Sequence, residues 1–247
     1  MDHVGALALV GSGEYLPGMA DLEGELLRSG IERGLKNRYV QLPLAAGRES
    51  IDRLRYWEEL GAAQAERLNT EQVFLPVLSR SDAMREDLAA LIEGAGLIYI
   101  SGGDPSYLAT SLTNTPVWEA IERNWRSGSA LAGCSAGAMA FSGDIPNFRK
   151  QSAVGTPGLN LLPTLRTIPH YNKFFGWIPD SAAKLMVHAP EGVSVIGVDE
   201  MTAAVAGLDP RTNFETLTFS VHGVGGVHVL RGQATHKYVR GELVQLH

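Results

Sequence analysis

The stretch Ala130-Leu-Ala-Gly-Cys-Ser-Ala-Gly-Ala-Met139 constrains this chain more than any other. A short apolar run, Ala130 to Ala132, ends in Gly133-Cys-Ser-Ala-Gly137, and helix formers follow through Ala140. Gly-x-Ser-x-Gly between a strand and a helix is the pattern of a nucleophile elbow. A serine in such a strained turn needs small neighbours two positions away on each side. Its side chain then stands above the carboxyl edge of a sheet. The next backbone N–H, that of Ala136, opens the helix and faces the place where an oxyanion would develop. A bland strand-to-helix turn, with the serine as a mere helix cap, needs the same small residues. The strand before and the helix after favour the catalytic reading.

Around this stretch the chain alternates strand and helix. Val4–Val10 reads as a buried strand, followed by Gly11-Ser-Gly-Glu14. That loop lacks the lysine of a phosphate loop and the third glycine of a dinucleotide fingerprint, so it is read as a strand-end loop and not a nucleotide cradle. A helix is expected over 20–29, a strand over 38–44, and a long helix capped by Ser50 with Ile51, Leu54, Trp57 and Leu60 as its apolar stripe. A third strand over 73–78 precedes a helix capped by Ser81, with Met84, Leu88 and Leu91 facing inward. A fourth strand, 97–100, ends in Ser101-Gly-Gly-Asp-Pro105 and leads into helices ending near Leu112 and Trp125. This alternation predicts an α/β fold, a mostly parallel doubly wound sheet with helices on both faces. The loops at Gly11, Ala46, Gly102 and Ser135 would share its carboxyl edge, where ligands bind. Residues 141–169 read as irregular and 179–188 as a helix. Residues 194–198 read as a strand, and period-2 patterning after Thr202 predicts short antiparallel strands. The expected organisation is one domain, 1–247, with 203–247 as an antiparallel extension.

Composition limits the partners. With 247 residues, 45% hydrophobic and 19% charged, the chain resembles an ordinary globular protein. A net charge of −6 and no basic cluster argue against nucleic acid. The apolar run at the start is too short to span a membrane. One cysteine forbids an internal disulfide and suits a reducing, cytoplasmic compartment. No metal-ligand spacing is present, so no cofactor is expected.

A serine nucleophile needs a base. Of seven histidines, His3 and His247 lie at the ends, and His222, His228 and His236 fall among the late strands, where exposure is the plain expectation. His188 suits a helix end. His170, in Ile168-Pro-His-Tyr-Asn172, sits in a rigid segment after the irregular stretch and is the candidate base. For the orienting acid, Asp199 and Glu200 end a strand and point to opposite faces, so one of them can serve. Asp144 is a rival, and Asp180 reads as a helix cap. Gly102-Gly103 fits a second oxyanion donor. Arg48, Arg149 and Arg166 are the loop cations available to an acidic substrate.

Gly133-Cys-Ser-Ala-Gly-Ala138, Ser101-Gly-Gly-Asp104, Pro169-His-Tyr171 and Ala189-Pro-Glu-Gly-Val-Ser-Val-Ile-Gly-Val-Asp-Glu200 together resemble the serine peptidase family of aspartyl dipeptidase and cyanophycinase. The resemblance implies a class I glutamine amidotransferase-like fold with serine in place of cysteine. It implies a Ser–His–acid triad and cleavage of small aspartyl peptides through an acyl-enzyme. By that match Ser135 is the nucleophile, His170 the base, and Glu200 the acid, with Asp144 retained as an alternative. Gly103 and Ala136 match the oxyanion donors. Arg48, Asp104 and Arg166 are substrate-binding candidates, Asp104 standing where the family usually has asparagine. The implied partners are a small peptide and, as a homodimer, a second copy. The competing readings are an esterase or amidase with the same triad, and a binding protein that keeps the fold without the chemistry.

Overall fold

Alternation of side chains along the first strand separates two cores. Leu7 and Leu9 join one buried cluster, whereas Ala6, Ala8 and Val10 join the other. The computed structural model describes residues 4–147, 152–173, 189–231 and 234–246. Its elements run β1 (Leu7–Val10), α1 (Ala20–Glu32), β2 (Lys36–Leu42), α2 (Ile51–Arg67), β3 (Glu71–Phe74), α3 (Arg80–Ala83), α4 (Glu86–Ala90), β4 (Ala95–Ile100), α5 (Pro105–Leu112), α6 (Pro116–Arg126), β5 (Ala130–Cys134) and α7 (Ala136–Ala140). Then follow β6 (Asp144–Asn147), β7 (Ser152–Pro157), β8 (Leu165–Ile168), β9 (Ser194–Val198), β10 (Thr202–Ala206), β11 (Thr218–Gly223), β12 (Gly226–Arg231), β13 (Ala234–Val239) and β14 (Leu243–Gln245).

The main sheet has the order β14-β11-β10-β1-β5-β4-β2-β3. From β1 to β3 every neighbouring pair is parallel, and β10, β11 and β14 add antiparallel strands at one edge. On one face Leu22, Leu26 and Leu27 of α1 pack on Ala130, Ala132, Leu97 and Val205. On the other, Leu108, Leu112, Val117, Ile121 and Trp125 of α5 and α6 cover Leu9, Ile98, Ile100 and Leu131. Burying such a side chain contributes about 1.5–3 kcal/mol relative to leaving it exposed. Both helices start as their sequences require. Pro105 and Pro116 occupy the first turn, and Asp104 Oδ1 and Thr115 Oγ1 accept the N–H groups of Tyr107 and Trp118 at 3.0 and 3.3 Å.

The structure departs from the sequence expectations in four places. The stretch 141–169 is not irregular: it carries the β6–β7 hairpin and β8. The late strands are antiparallel as expected, but they divide. β10, β11 and β14 extend the main sheet, whereas β12 and β13 join β9 and β8 in a second sheet of order β13-β12-β9-β8. The helix expected from Ser81 is two short ones, and Ser79, not Ser81, caps the first through a capping box with Asp82. Ile51, Met84 and Leu91 are exposed rather than core, at 76%, 50% and 41%. Periodicity alone placed them inward, but Ile51 is the first residue of α2 and Met84 and Leu91 are the C-cap residues of α3 and α4, so all three sit at helix ends, where the stripe no longer faces the core. The helix expected over 179–188 lies outside the described residues.

Candidate active site

At the elbow the backbone does what the glycines permit. Ser135 has φ +50° and ψ −106°, a region costly for a residue with a Cβ. Its N–H donates to Val10 O at 2.9 Å, which pins the turn to β1. A Cβ on Gly133 would come within 2.6 Å of the Phe141 ring and 2.7 Å of the Gly137 backbone, and one on Gly137 within 2.6 Å of Ile100 O. Neither position accepts a side chain without displacement. Cys134 points away from the site, is fully buried, and donates its Sγ–H to Glu14 Oε2 at 3.0 Å. Burial, and then the charge of Glu14, push this thiol well above the ordinary cysteine range, which keeps it a neutral donor.

Glu14 is a residue that sequence reasoning passed over. It is buried, and its other oxygen accepts the Gly102 N–H at 2.9 Å. One carboxylate thereby ties together the turns after β1 and β4 and the last residue of β5. The loop after β2 joins them, since Asp104 N donates to Ala45 O at 2.9 Å. Gly102 lies against the serine: a Cβ there would be 3.7 Å from Ser135 Oγ. Gly103 takes φ +140°, and a Cβ there would come within 2.3 Å of Ala45 O. Among the described residues, the Gly103 and Ala136 N–H groups have no acceptor. The signal for Glu14 was an acid closing a glycine-rich strand-end loop, a composition too common to decide the matter.

The second sheet delivers the histidine and its acid. β8 and β9 are parallel, with Ile168 opposite Gly197. Two residues beyond the first and three beyond the second, His170 and Glu200 therefore emerge side by side. His170 Nε2 is 3.1 Å from Ser135 Oγ, and His170 Nδ1 is 3.1 Å from Glu200 Oε1. Glu200 Oε2 lies 2.8 Å from Lys173 Nζ, and its own N–H donates to Asn172 Oδ1 at 3.0 Å. The hydrogen bond from Lys173, and then that from His170, hold the Glu200 carboxyl below the usual range, so it stays ionised. An ionised acid at Nδ1 selects the tautomer with Nδ1–H, which leaves Nε2 to accept the serine proton.

The other sequence candidates go elsewhere. Asp144 accepts from the buried Arg166 at 3.1 Å and is not paired with His170. Asp199 faces His228 at 3.0 Å. The Asp104 carboxylate caps α5. Arg48, two residues beyond Ala46, lays its guanidinium 4.0 Å over the Tyr107 ring and pairs with no carboxylate among the described residues. Arg149, Asp180 and His188 lie outside the described residues. Among the described residues no cluster of three acids, histidines or cysteines could hold a metal ion, and no helix is long and apolar enough to cross a membrane.

Similar proteins share this arrangement of elements. The crystal structure of a peptidase from an acI-B1 Actinobacterium superposes with a TM-score of 0.92 at 47% identity, over 99% of this chain and 98% of that one. A putative peptidase E protein from Listeria monocytogenes EGD-e shares the fold at a TM-score of 0.53 and 17% identity, covering 96% and 98% of the two chains. Cyanophycinases of Trichormus variabilis and of Nostoc sp. are each 31% identical over 199 residues, 73% of this chain. The match spans 62% of the length of those curated relatives. The model of peptidase family S51 matches residues 9–207. The chain belongs to peptidase family S51.

Proposed function

We propose that this protein is a serine peptidase of the cyanophycinase and peptidase E type that hydrolyses amide bonds of small aspartyl peptides through an acyl-enzyme. The observation that carries the reading is the run of contacts Ser135 Oγ, His170 Nε2, His170 Nδ1, Glu200 Oε1, each link 3.1 Å. Ser135 Oγ attacks the scissile carbonyl carbon while His170 Nε2 takes its proton. The tetrahedral oxyanion is met by the N–H groups of Gly103 and Ala136. The imidazolium then gives its proton to the leaving amine as the C–N bond breaks. Water repeats the sequence on the acyl-enzyme, with His170 again the base. Glu200 stays ionised throughout and stabilises the imidazolium.

An acidic side chain in the substrate needs a cation whose charge is not already neutralised. Arg166 gives its charge to Asp144, so Arg48 is the residue this reading assigns to the substrate carboxylate. It is exposed and backed by Tyr107, beside the loop that presses on Gly103. Hydrolysis of a dipeptide panel with aspartate, asparagine, alanine or lysine at the amino-terminal position tests the reading, alongside ester substrates. Preference for aspartate that falls by about tenfold or more in Arg48→Ala supports it. Equal turnover of the four dipeptides removes the aspartyl specificity. Ester turnover without peptide turnover makes the protein an esterase, and no turnover of any substrate removes the hydrolase reading.

A further inference from the structure

His228 belongs to the late strands where exposure is the plain expectation for a histidine, yet its side chain is 14% exposed. It sits on β12 directly opposite Gly197 of β9. Gly197 has no side chain, and the Tyr171 ring fills that space: a Cβ on Gly197 would come within 2.3 Å of the ring. Tyr171 thus lies beside His228, their ring centroids 4.5 Å apart and tilted by 39°. On its other side His228 Nε2 donates to Asp199 Oδ1 at 3.0 Å. Asp199 is 4% exposed, and its second oxygen accepts the Gly226 N–H at 2.9 Å and faces Lys237 Nζ at 3.6 Å.

Tyr171 follows His170 in the chain, and Asp199 precedes Glu200. The contacts therefore close a circuit, from His170 through Tyr171, His228, Asp199 and Glu200 back to His170. We propose that His228 is a positioning residue that sets the distance between His170 and Glu200 by clamping their chain neighbours. This rests on the serine peptidase reading above. The physical need is specific. His170 holds φ +50°, a conformation that persists in a non-glycine residue when its surroundings over-determine it. Peptide connections alone do not fix the imidazole against Ser135. The tyrosine ring locks the chain that carries His170 onto Gly197 of β9, the strand that leads to Glu200, and His228 locks that ring to Asp199. A shift of about 1 Å at such a pair costs about a hundredfold in rate.

The test uses a fluorophosphonate probe, whose capture by Ser135 needs His170 as base but no knowledge of the natural substrate. Saturation kinetics separate the maximal labelling rate from the probe's binding constant, and thermal unfolding reports folding. His228→Ala is expected to lower the maximal rate by about 10- to 100-fold with the binding constant within about twofold, and His228→Gln, which restores a donor to Asp199, recovers most of the rate. Tyr171→Leu should lower the rate similarly, and the double variant should lose no more than the worse single one, because both act through one path. The Tyr171→Leu single variant also covers the case in which His228→Ala does not fold. An unchanged maximal rate in a folded His228→Ala protein overturns the proposal. So does a loss that follows the unfolded fraction, or additive losses in the double variant. The proton NMR signal of the His170 Nδ1–H bonded to Glu200 reads the positioning without catalysis: it should be sharp in the wild type and broadened in His228→Ala. An identical signal in both overturns the proposal. A wild type that is not labelled removes the peptidase reading, and the NMR comparison still decides the role of His228.

Discussion

Glu23 offers a quantitative test of the packing beneath the active site. This carboxyl is 1% exposed among Tyr15, Tyr39 and Tyr99. It accepts hydrogen bonds from Tyr39 Oη at 2.8 Å, Gln64 Nε2 at 3.0 Å and the Tyr15 N–H at 3.2 Å. Burial outweighs those three donors and pushes its pKa from 4.5 up to about 7. The folded state then holds a proton that the unfolded chain releases above about pH 4.5. Stability from this group is full below that pH, falls as the pH rises through the interval to about 7, and is constant beyond it. At ~1.36 kcal/mol per pKa unit the total is about 3 kcal/mol. Glu23→Gln imitates the protonated form at every pH. Urea unfolding of both proteins from pH 5 to 8 measures the difference, in which other titrating groups cancel. The glutamine variant should be more stable by about 1 kcal/mol at pH 5 and by about 3 kcal/mol at pH 8. A difference that does not change with pH, or one that grows toward acid, would refute the account of this carboxyl.

Two further substitutions separate the rival acids. Glu200→Gln should slow acylation of Ser135 by roughly 10²–10⁴-fold with little change in thermal stability, since it leaves the imidazole in the wrong tautomer. Asp144→Asn should leave the acylation rate alone but lower stability by about 1–2 kcal/mol, because the buried Arg166 loses its carboxylate while Asp144 itself is half in water. A calorimetric and labelling comparison of the pair decides between them, and a slower rate in Asp144→Asn reverses the assignment. Gly137→Ala should destabilise by about 1–3 kcal/mol, because its methyl group would meet Ile100 O at 2.6 Å. Differential scanning calorimetry should show the fall as a drop of a few degrees or more, and an unchanged Tm would mean that α7 can shift off β4.

The sequence is read most easily where local chemistry and tertiary context agree. Thr115-Pro116 and Asp104-Pro105 announce their helices, and the small residues of 133–137 announce the elbow, because each requirement is met within a few positions. Glu200 and Asp199 could be told apart in principle by strand alternation. Which of the two faces His170 depends, however, on β8 lying parallel to β9, and β8 is four residues embedded in a proline- and glycine-rich run. A strand that short leaves no periodic signature. The exposure of Met84 and Leu91 has the opposite cause: a helical stripe predicts which residues share a face, not whether a partner covers it. Glu14 and His228 became visible only through contacts 88 and 29 positions apart in the chain, and no spacing rule anticipates those.

Whether Ser135 is a nucleophile activated by His170 can be measured most directly by reacting the folded protein with a fluorophosphonate and locating the adduct by peptide mass spectrometry. The account predicts a single adduct on Ser135, absent in Ser135→Ala and slowed by roughly a thousandfold or more in His170→Ala. An adduct elsewhere, or a wild-type protein that stays unmodified while its fold is intact, would contradict it.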